Sequence, residues 1–148
     1  MKLTTRSEYA LLALICLARH DPDEYISGEK IAAEEKIPIN YLQQIMLTLR
    51  TARYVQSLKG QRGGYKLAKK PDQITVAEII RTFDGSLAPT ESASHYFYES
   101  TPVERENKLL AVFKEIRNYI AHKLETTTIY DVCNGRPKAG HKPANKKS

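Results

Sequence analysis

The chain has 148 residues, 41% hydrophobic and 27% charged, enough for one domain with a real core and too few for a comfortable second one. Two cysteines, Cys16 and Cys133, exclude a disulfide scaffold and favour a reducing, cytoplasmic setting. The net charge of +6 points to an anionic partner, although residues 134–148 alone supply +5 of it through Arg136, Lys138, Lys142, Lys146 and Lys147.

Taken in chain order, Thr5-Arg6-Ser7-Glu8 predicts a capping box with Thr5 as the cap, opening a helix to about residue 20. Residues 9–18 (YALLALICLA) are apolar on nearly every side, so this helix is expected to be central and buried. The run is far short of the roughly 20 residues that span a bilayer. Glu8 before it, and the lack of an A-x-A site after it, argue against a secretion signal, so no membrane partner is expected. Asp21-Pro22-Asp23 ends the helix. Ser27 caps a short helix over residues 28–36, and Pro38 marks the break. A third helix over residues 39–52 turns Tyr41, Leu42, Ile45, Met46 and Leu49 inward at helical spacing. Its other side carries Asn40, Gln43, Gln44, Leu47, Thr48 and Arg50. Two helices joined by a tight turn, the second amide-rich on its open face, form a helix-turn-helix pattern.

The period then changes. Residues 54–59 and 65–68 alternate like strands, and Gly60-Gln61-Arg62-Gly63-Gly64 between them predicts a hairpin, the wing. From Glu35 to Asp72 there is no acid, while Lys36, Arg50, Arg53, Lys59, Arg62, Lys66, Lys69 and Lys70 lie between them, so this part forms a local basic surface. Thr75-Val76-Ala77-Glu78 is a second capping box, for a helix to about Phe83 that Gly85 stops. Residues 86–101 are irregular, with Tyr96, Phe97 and Tyr98 either lining an effector cleft or covering the core. Thr101-Pro102-Val103-Glu104 predicts the start of a long helix to about residue 124, roughly 35 Å in length. Its apolar stripe is Leu109, Leu110, Phe113, Ile116, Ile120 and Leu124, and a helix of that length with so broad a stripe needs a partner surface. Thr128 to Asp131 predicts a short final helix.

The expected fold is mainly α with a small β-hairpin: a winged helix-turn-helix plus a long dimerisation helix. The division is 1–83 for the DNA-binding unit (wing 54–68), 84–101 for a connector, 102–133 for the dimerisation helix and final helix, and 134–148 for a disordered basic tail. The tail serves either nonspecific DNA affinity or solubility.

Several of these motifs together resemble the Rrf2 family over residues 1–131. MKLTTRSEYAL is similar to its opening, Tyr41-Leu42 followed by Gln44 to its recognition helix, Leu49-Arg50-Thr51-Ala52 to L-R-x-A, and residues 57–68 (SLKGQRGGYKLA) to its wing. The resemblance implies a homodimer on operator DNA, usually a repressor, whose long helices pair across the dimer and whose wings reach the minor groove. Departures are Arg53 where the family usually has Gly, Lys59 where many members have Arg, and Gln43 where cluster-sensing members often have Glu. Iron–sulfur members carry three cysteines between the fourth helix and the long helix; residues 84–104 contain none, so no iron–sulfur cluster and no other cofactor is expected.

The candidate DNA-binding residues follow. Gln43 and Gln44 offer amides that pair with adenine, Gln43 first because Gln44 is placed to hold the turn. Tyr41 belongs to the same helix motif, and Asn40 serves either a DNA contact or the helix cap. Lys59 and Arg62 flank the minor groove, with Gly63 and Gly64 permitting close approach. Arg6, Arg50, Arg53 and Lys66 contact phosphates. Leu109, Phe113, Ile116, Ile120 and Leu124 are the dimerisation set. Cys16 reads as a core residue or as a redox switch. Glu8 and His95 are lone candidates without a third ligand, and His20, His122 and His141 carry no pattern, so no metal set is assigned. No nucleophile–base pair or phosphate loop marks an enzyme. The rival reading is a winged-helix protein-interaction module, and a protein or small-molecule effector stays open.

Overall fold

In the computed structural model the described residues are 2–134. Helix α1 (Thr5–Arg19) forms the centre of the fold. Its cap is Thr4, one residue earlier than expected: the Thr4 hydroxyl accepts from the Ser7 N–H at 3.3 Å. The reason is tertiary. The Asp84 carboxylate accepts from the Thr4 hydroxyl at 2.6 Å, the Thr4 N–H at 3.0 Å and the Ser7 hydroxyl at 2.7 Å, so it selects which threonine caps. Partial burial pushes Asp84 up, but these bonds and the nearby Arg6 charge hold its carboxyl below the ordinary range.

Helix α2 (Gly28–Glu35), capped by Ser27, leads through Lys36 into α3 (Ile39–Thr51). Strands β1 (Val55–Leu58) and β2 (Gly64–Leu67) pair antiparallel, with Val55 opposite Leu67 and Leu58 opposite Gly64. Ile26 forms a one-residue antiparallel bridge to β2, exchanging two 2.8 Å backbone hydrogen bonds with Tyr65, and so ties the wing to the segment before α2. The capping box of Thr75 and Glu78 opens α4 (Val76–Asp84), and Gly85 closes it with φ +79°. Two more helices follow, α5 (Asn107–Glu125) and α6 (Ile129–Cys133), the last opened by a capping box of Thr128 and Asp131.

The long helix is shorter than its sequence promises. Pro102–Arg105 is a turn of 3-10 helix, and Glu106 at φ −124°, ψ 98° separates it from α5. The expected capping groups are engaged elsewhere: the Thr101 hydroxyl bonds those of Ser92 and Thr90, and the Glu104 carboxylate accepts from the Tyr98 and Ser100 hydroxyls. Nineteen residues then span about 28 Å rather than 35 Å.

The core is built around α1. Ala13 and Leu14 pack with Ile31 of α2, with Leu42, Ile45, Met46 and Leu49 of α3, and with Val55, Ile74 and Ile79, all buried. Burying each Leu or Ile contributes roughly 1.5–3 kcal/mol. Ile129 is fully buried in the same cluster, so the final helix packs onto α1. A smaller cluster of Ala77, Ile80 and Leu87 receives Ile120 and Leu124. No helix among the described residues is long and apolar enough to cross a membrane. The tail expected over 134–148 lies outside the described residues beyond Asn134.

Candidate nucleic-acid interface

Burial of Leu42, Ile45, Met46 and Leu49 fixes the rotation of α3, because these positions share one side at 3.6-residue spacing. The opposite side presents Asn40, Gln43, Gln44, Leu47 and Arg50, all exposed. Leu47, 54% exposed near the middle of this face, was not singled out from sequence; its apolar side chain among amides was the available signal. Tyr41 is 51% exposed and so is not part of the inward set, although its ring stands edge-on to Tyr9 of α1 at 6.1 Å. Asn40 does not cap the helix: Pro38 is the cap residue, without a side-chain bond. Nor does the Gln44 amide hold the turn, since among the described residues it makes no hydrogen bond. That turn closes instead through Lys36 in the left-handed region, φ +56°, with the Ile37 N–H bonded to the Ala32 carbonyl.

Arg53 also adopts a left-handed conformation, at φ +69°. Its N–H bonds the Arg50 carbonyl, and the Tyr54 N–H reaches the Leu49 carbonyl, which is a Schellman closure with arginine where glycine is favoured. This turn leads directly from α3 into the wing. Arg50 joins the two, its Nη1 donating to the Ser57 Oγ at 3.3 Å. Lys59 and Arg62 are exposed at the hairpin tip.

Gly63 and Gly64 have internal reasons to be glycine. A Cβ on Gly63 would lie 1.9 Å from the Leu58 carbonyl oxygen, and one on Gly64, at φ +146°, would lie 2.2 Å from that of Ile26. Lys66 faces away from α3. It pairs with Gln56, on the face opposite Ser57 and Tyr65, and its Nζ sits 4.8 Å from the centre of the Tyr25 ring. Arg6 is exposed, its guanidinium 5.4 Å over the Phe83 ring. The structure thus brings together Asn40, Gln43, Gln44, Leu47 and Arg50 beside the wing, and sets Lys66 apart.

The dimerisation set divides. Ile120 and Leu124 pack on this chain's own α4 cluster, and Phe113 is half-buried. Leu109 and Ile116 are exposed, and with Val112 and Tyr119, which sequence reading did not select, they form one stripe along α5.

A third grouping links α1 to α2. The Cys16 thiol donates to Glu34 Oε1 at 3.4 Å, and His20 Nε2 lies 3.0 Å from the same oxygen. Burial first, and the Glu34 carboxylate next, push the Cys16 thiol up to about 12. His20 holds Glu34 below the usual carboxylate range. Cys16 in α1 and His20 at its C-terminal cap, four residues on, were the legible signal. Glu8 and His95 join no such donor group among the described residues.

The family model for Rrf2, described as an iron-dependent transcriptional regulator, matches residues 3–135. The regulator CymR of Bacillus subtilis is 32% identical over 134 residues, which is 90% of this chain and 91% of that one. The regulator IscR of Aliivibrio salmonicida is 36% identical over 91 residues, 62% of this chain and 54% of its own. Among solved structures, CymR (YrzC), the global cysteine regulator of B. subtilis, superposes with a TM-score of 0.71 at 32% identity, covering 90% of this chain and 96% of that one. IscR of T. potens does so with a TM-score of 0.68 at 28% identity, covering 89% and 85%. With a helix-turn-helix, a wing and an amide-bearing outward face already in place, the chain belongs to the Rrf2 family and is a DNA-binding transcriptional regulator.

Proposed function

We propose that the chain binds an inverted-repeat operator as a homodimer in the cytoplasm and acts there as a repressor. Helix α3 enters the major groove with Asn40, Gln43 and Gln44, while Leu47 meets a thymine methyl. Lys59 and Arg62 at the wing tip flank the minor groove, and Arg6, Arg50 and Arg53 hold phosphates. Residues 1–83 with α6 form the DNA-binding unit, and the exposed stripe of α5 pairs two copies. The observation that carries the reading is the outward face of α3, where unbonded amides surround an exposed leucine and Arg50 links the helix to the wing. No iron–sulfur cluster is required: residues 84–104, between α4 and α5, contain no cysteine to ligate one. The regulator is not an enzyme.

The test is recovery of sheared genomic DNA on the purified protein at about 150 mM salt, a concentration at which phosphate contacts are already weakened. Enrichment of a shared inverted repeat supports the reading. Gln43→Ala is expected to lower the preference for that repeat by about 1–3 kcal/mol while retaining nonspecific binding. Equal loss on every sequence would remove base reading from Gln43. Recovery of no DNA at any salt would favour a protein-docking module.

A further inference from the structure

We propose that Cys16, His20 and Glu34 form a binding site for a divalent transition-metal ion, best matched to Zn²⁺, which clamps the first helix of the helix-turn-helix to α1. Cys16 is in α1 and His20 is the residue that caps its C-terminal end, and both reach the same oxygen of Glu34, which approaches from α2. One donor atom from each lies within 4.8 Å of the others. Tetrahedral zinc, with bonds of about 2.3 Å to sulfur and 2.0–2.2 Å to nitrogen or oxygen, places its ligand atoms roughly 3.4–3.6 Å apart. The Cys16 to Glu34 separation is 3.4 Å and the His20 to Glu34 separation 3.0 Å, so small side-chain shifts admit the ion.

The donor set is one thiolate, one imidazole and one carboxylate. It suits zinc or cobalt and disfavours magnesium and calcium, which take oxygen ligands. Three protein ligands leave a fourth position for water, as in open zinc sites. Cys16, 2% exposed, is the floor of the site, and the side chains of His20 (21%) and Glu34 (39%) open it to solvent. On binding, the Cys16 S–H bond breaks, the sulfur lone pair goes to the ion, and the proton leaves to solvent past the carboxylate that holds it by hydrogen bond. The Nε2 proton that His20 donates to Glu34 passes to Nδ1 or to solvent, and the freed Nε2 lone pair goes to the ion. Lys30, 4.0 Å from the other oxygen of Glu34, leaves Oε1 available to the ion. The ion replaces two hydrogen bonds to one oxygen with three bonds that cross from α1 to α2. Because α2 sets the turn into α3, the clamp reaches the DNA-reading helix.

The experiment is titration of the reduced full chain with Co²⁺ in the absence of oxygen. A sulfur-to-cobalt charge-transfer band with the visible bands of four-coordinate cobalt, saturating at one equivalent and displaced by Zn²⁺, is expected. Cys16→Ser removes the charge-transfer band. The surface variants His20→Ala and Glu34→Gln, which leave the buried thiol in place, lose more than the roughly 10–100-fold in affinity that removal of a mere supporting partner costs. Cys133→Ser and His141→Ala keep the spectrum. Zn²⁺ raises the melting midpoint of the parent chain and not that of Glu34→Gln. No band, a band lost in Cys133→Ser or His141→Ala, or binding that leaves the midpoint unchanged would overturn the proposal. None of these readouts involves DNA, so their failure is separate from failure of the operator reading.

Discussion

Arg53 and Lys36 both occupy the left-handed region, and both follow helices of the helix-turn-helix. A side chain there costs roughly 1–2 kcal/mol relative to glycine. We propose that the cation at residue 53 contacts a phosphate, which its exposure allows. Arg53→Gly is expected to raise stability by about 1 kcal/mol in denaturant melts and to weaken DNA binding, with the salt slope smaller by about 1. Asp84 works in the opposite direction, stabilising the start of α1 with three hydrogen bonds. Its folded pKa is lowered from 3.8, so its contribution is fully present above that value and is lost as pH falls through the folded one. Asp84→Asn should therefore be less stable than the parent chain at neutral pH, and the gap should close below pH 3.8 in a pH series of denaturant midpoints.

Helix α5 carries two stripes with different duties. Ile120 and Leu124 complete the small cluster over α4, and the Arg81–Glu125 ion pair at 2.6 Å lies beside them. Leu109, Val112, Ile116 and Tyr119 face outward in a row. The two stripes predict separable variants. Ile116→Glu is expected to shift the sedimentation coefficient to that of a monomer while leaving the helical circular dichroism intact. Ile120→Ala should destabilise the chain by about 0.5–3 kcal/mol, because it removes a partly buried side chain packed on the cluster. If Ile116→Glu still sediments as a dimer, the outward stripe is not the pairing surface. The wing shows the same economy at smaller scale: the pairing of Ile26 with Tyr65 is close enough that residue 64 must lack a side chain.

At the level of the molecule, α1 connects everything. It packs against α2, α3, α4 and α6, and its two ends carry the Asp84 clasp and the Cys16, His20 and Glu34 grouping. Rigid support of this kind lets a short recognition helix present its face in one orientation. Binding is expected to depend steeply on salt, since the face lies in a stretch without acids from Lys36 to Lys70. Arg50→Ala and Arg62→Ala should each weaken binding to all sequences and reduce the slope of log K against log salt by about 1, measured by fluorescence anisotropy across a salt series. Lys66→Ala should leave that slope unchanged, because its ammonium is turned onto Tyr25.

The amino-acid sequence by itself determined the element order, the helix-turn-helix, the wing, the caps at Ser27 and Thr75, and the outward amides of α3. These depend on local spacing, on turn chemistry and on which side of one helix is apolar, all of which act within a few residues. Tertiary structure decided the rest. Asp84 is eighty residues from the threonine it selects as a cap. Ser92, Thr90, Tyr98 and Ser100 draw the capping groups of Thr101 and Glu104 away from the long helix and shorten it. Packing on α4 turns Ile120 and Leu124 inward and leaves Val112 and Tyr119 out, a choice no apolar stripe can make alone. Cys16 is in α1, His20 is its C-cap and Glu34 is in α2, so their convergence exists only once α2 docks on α1. In each case the deciding partner lies elsewhere in the chain, where no local pattern registers it.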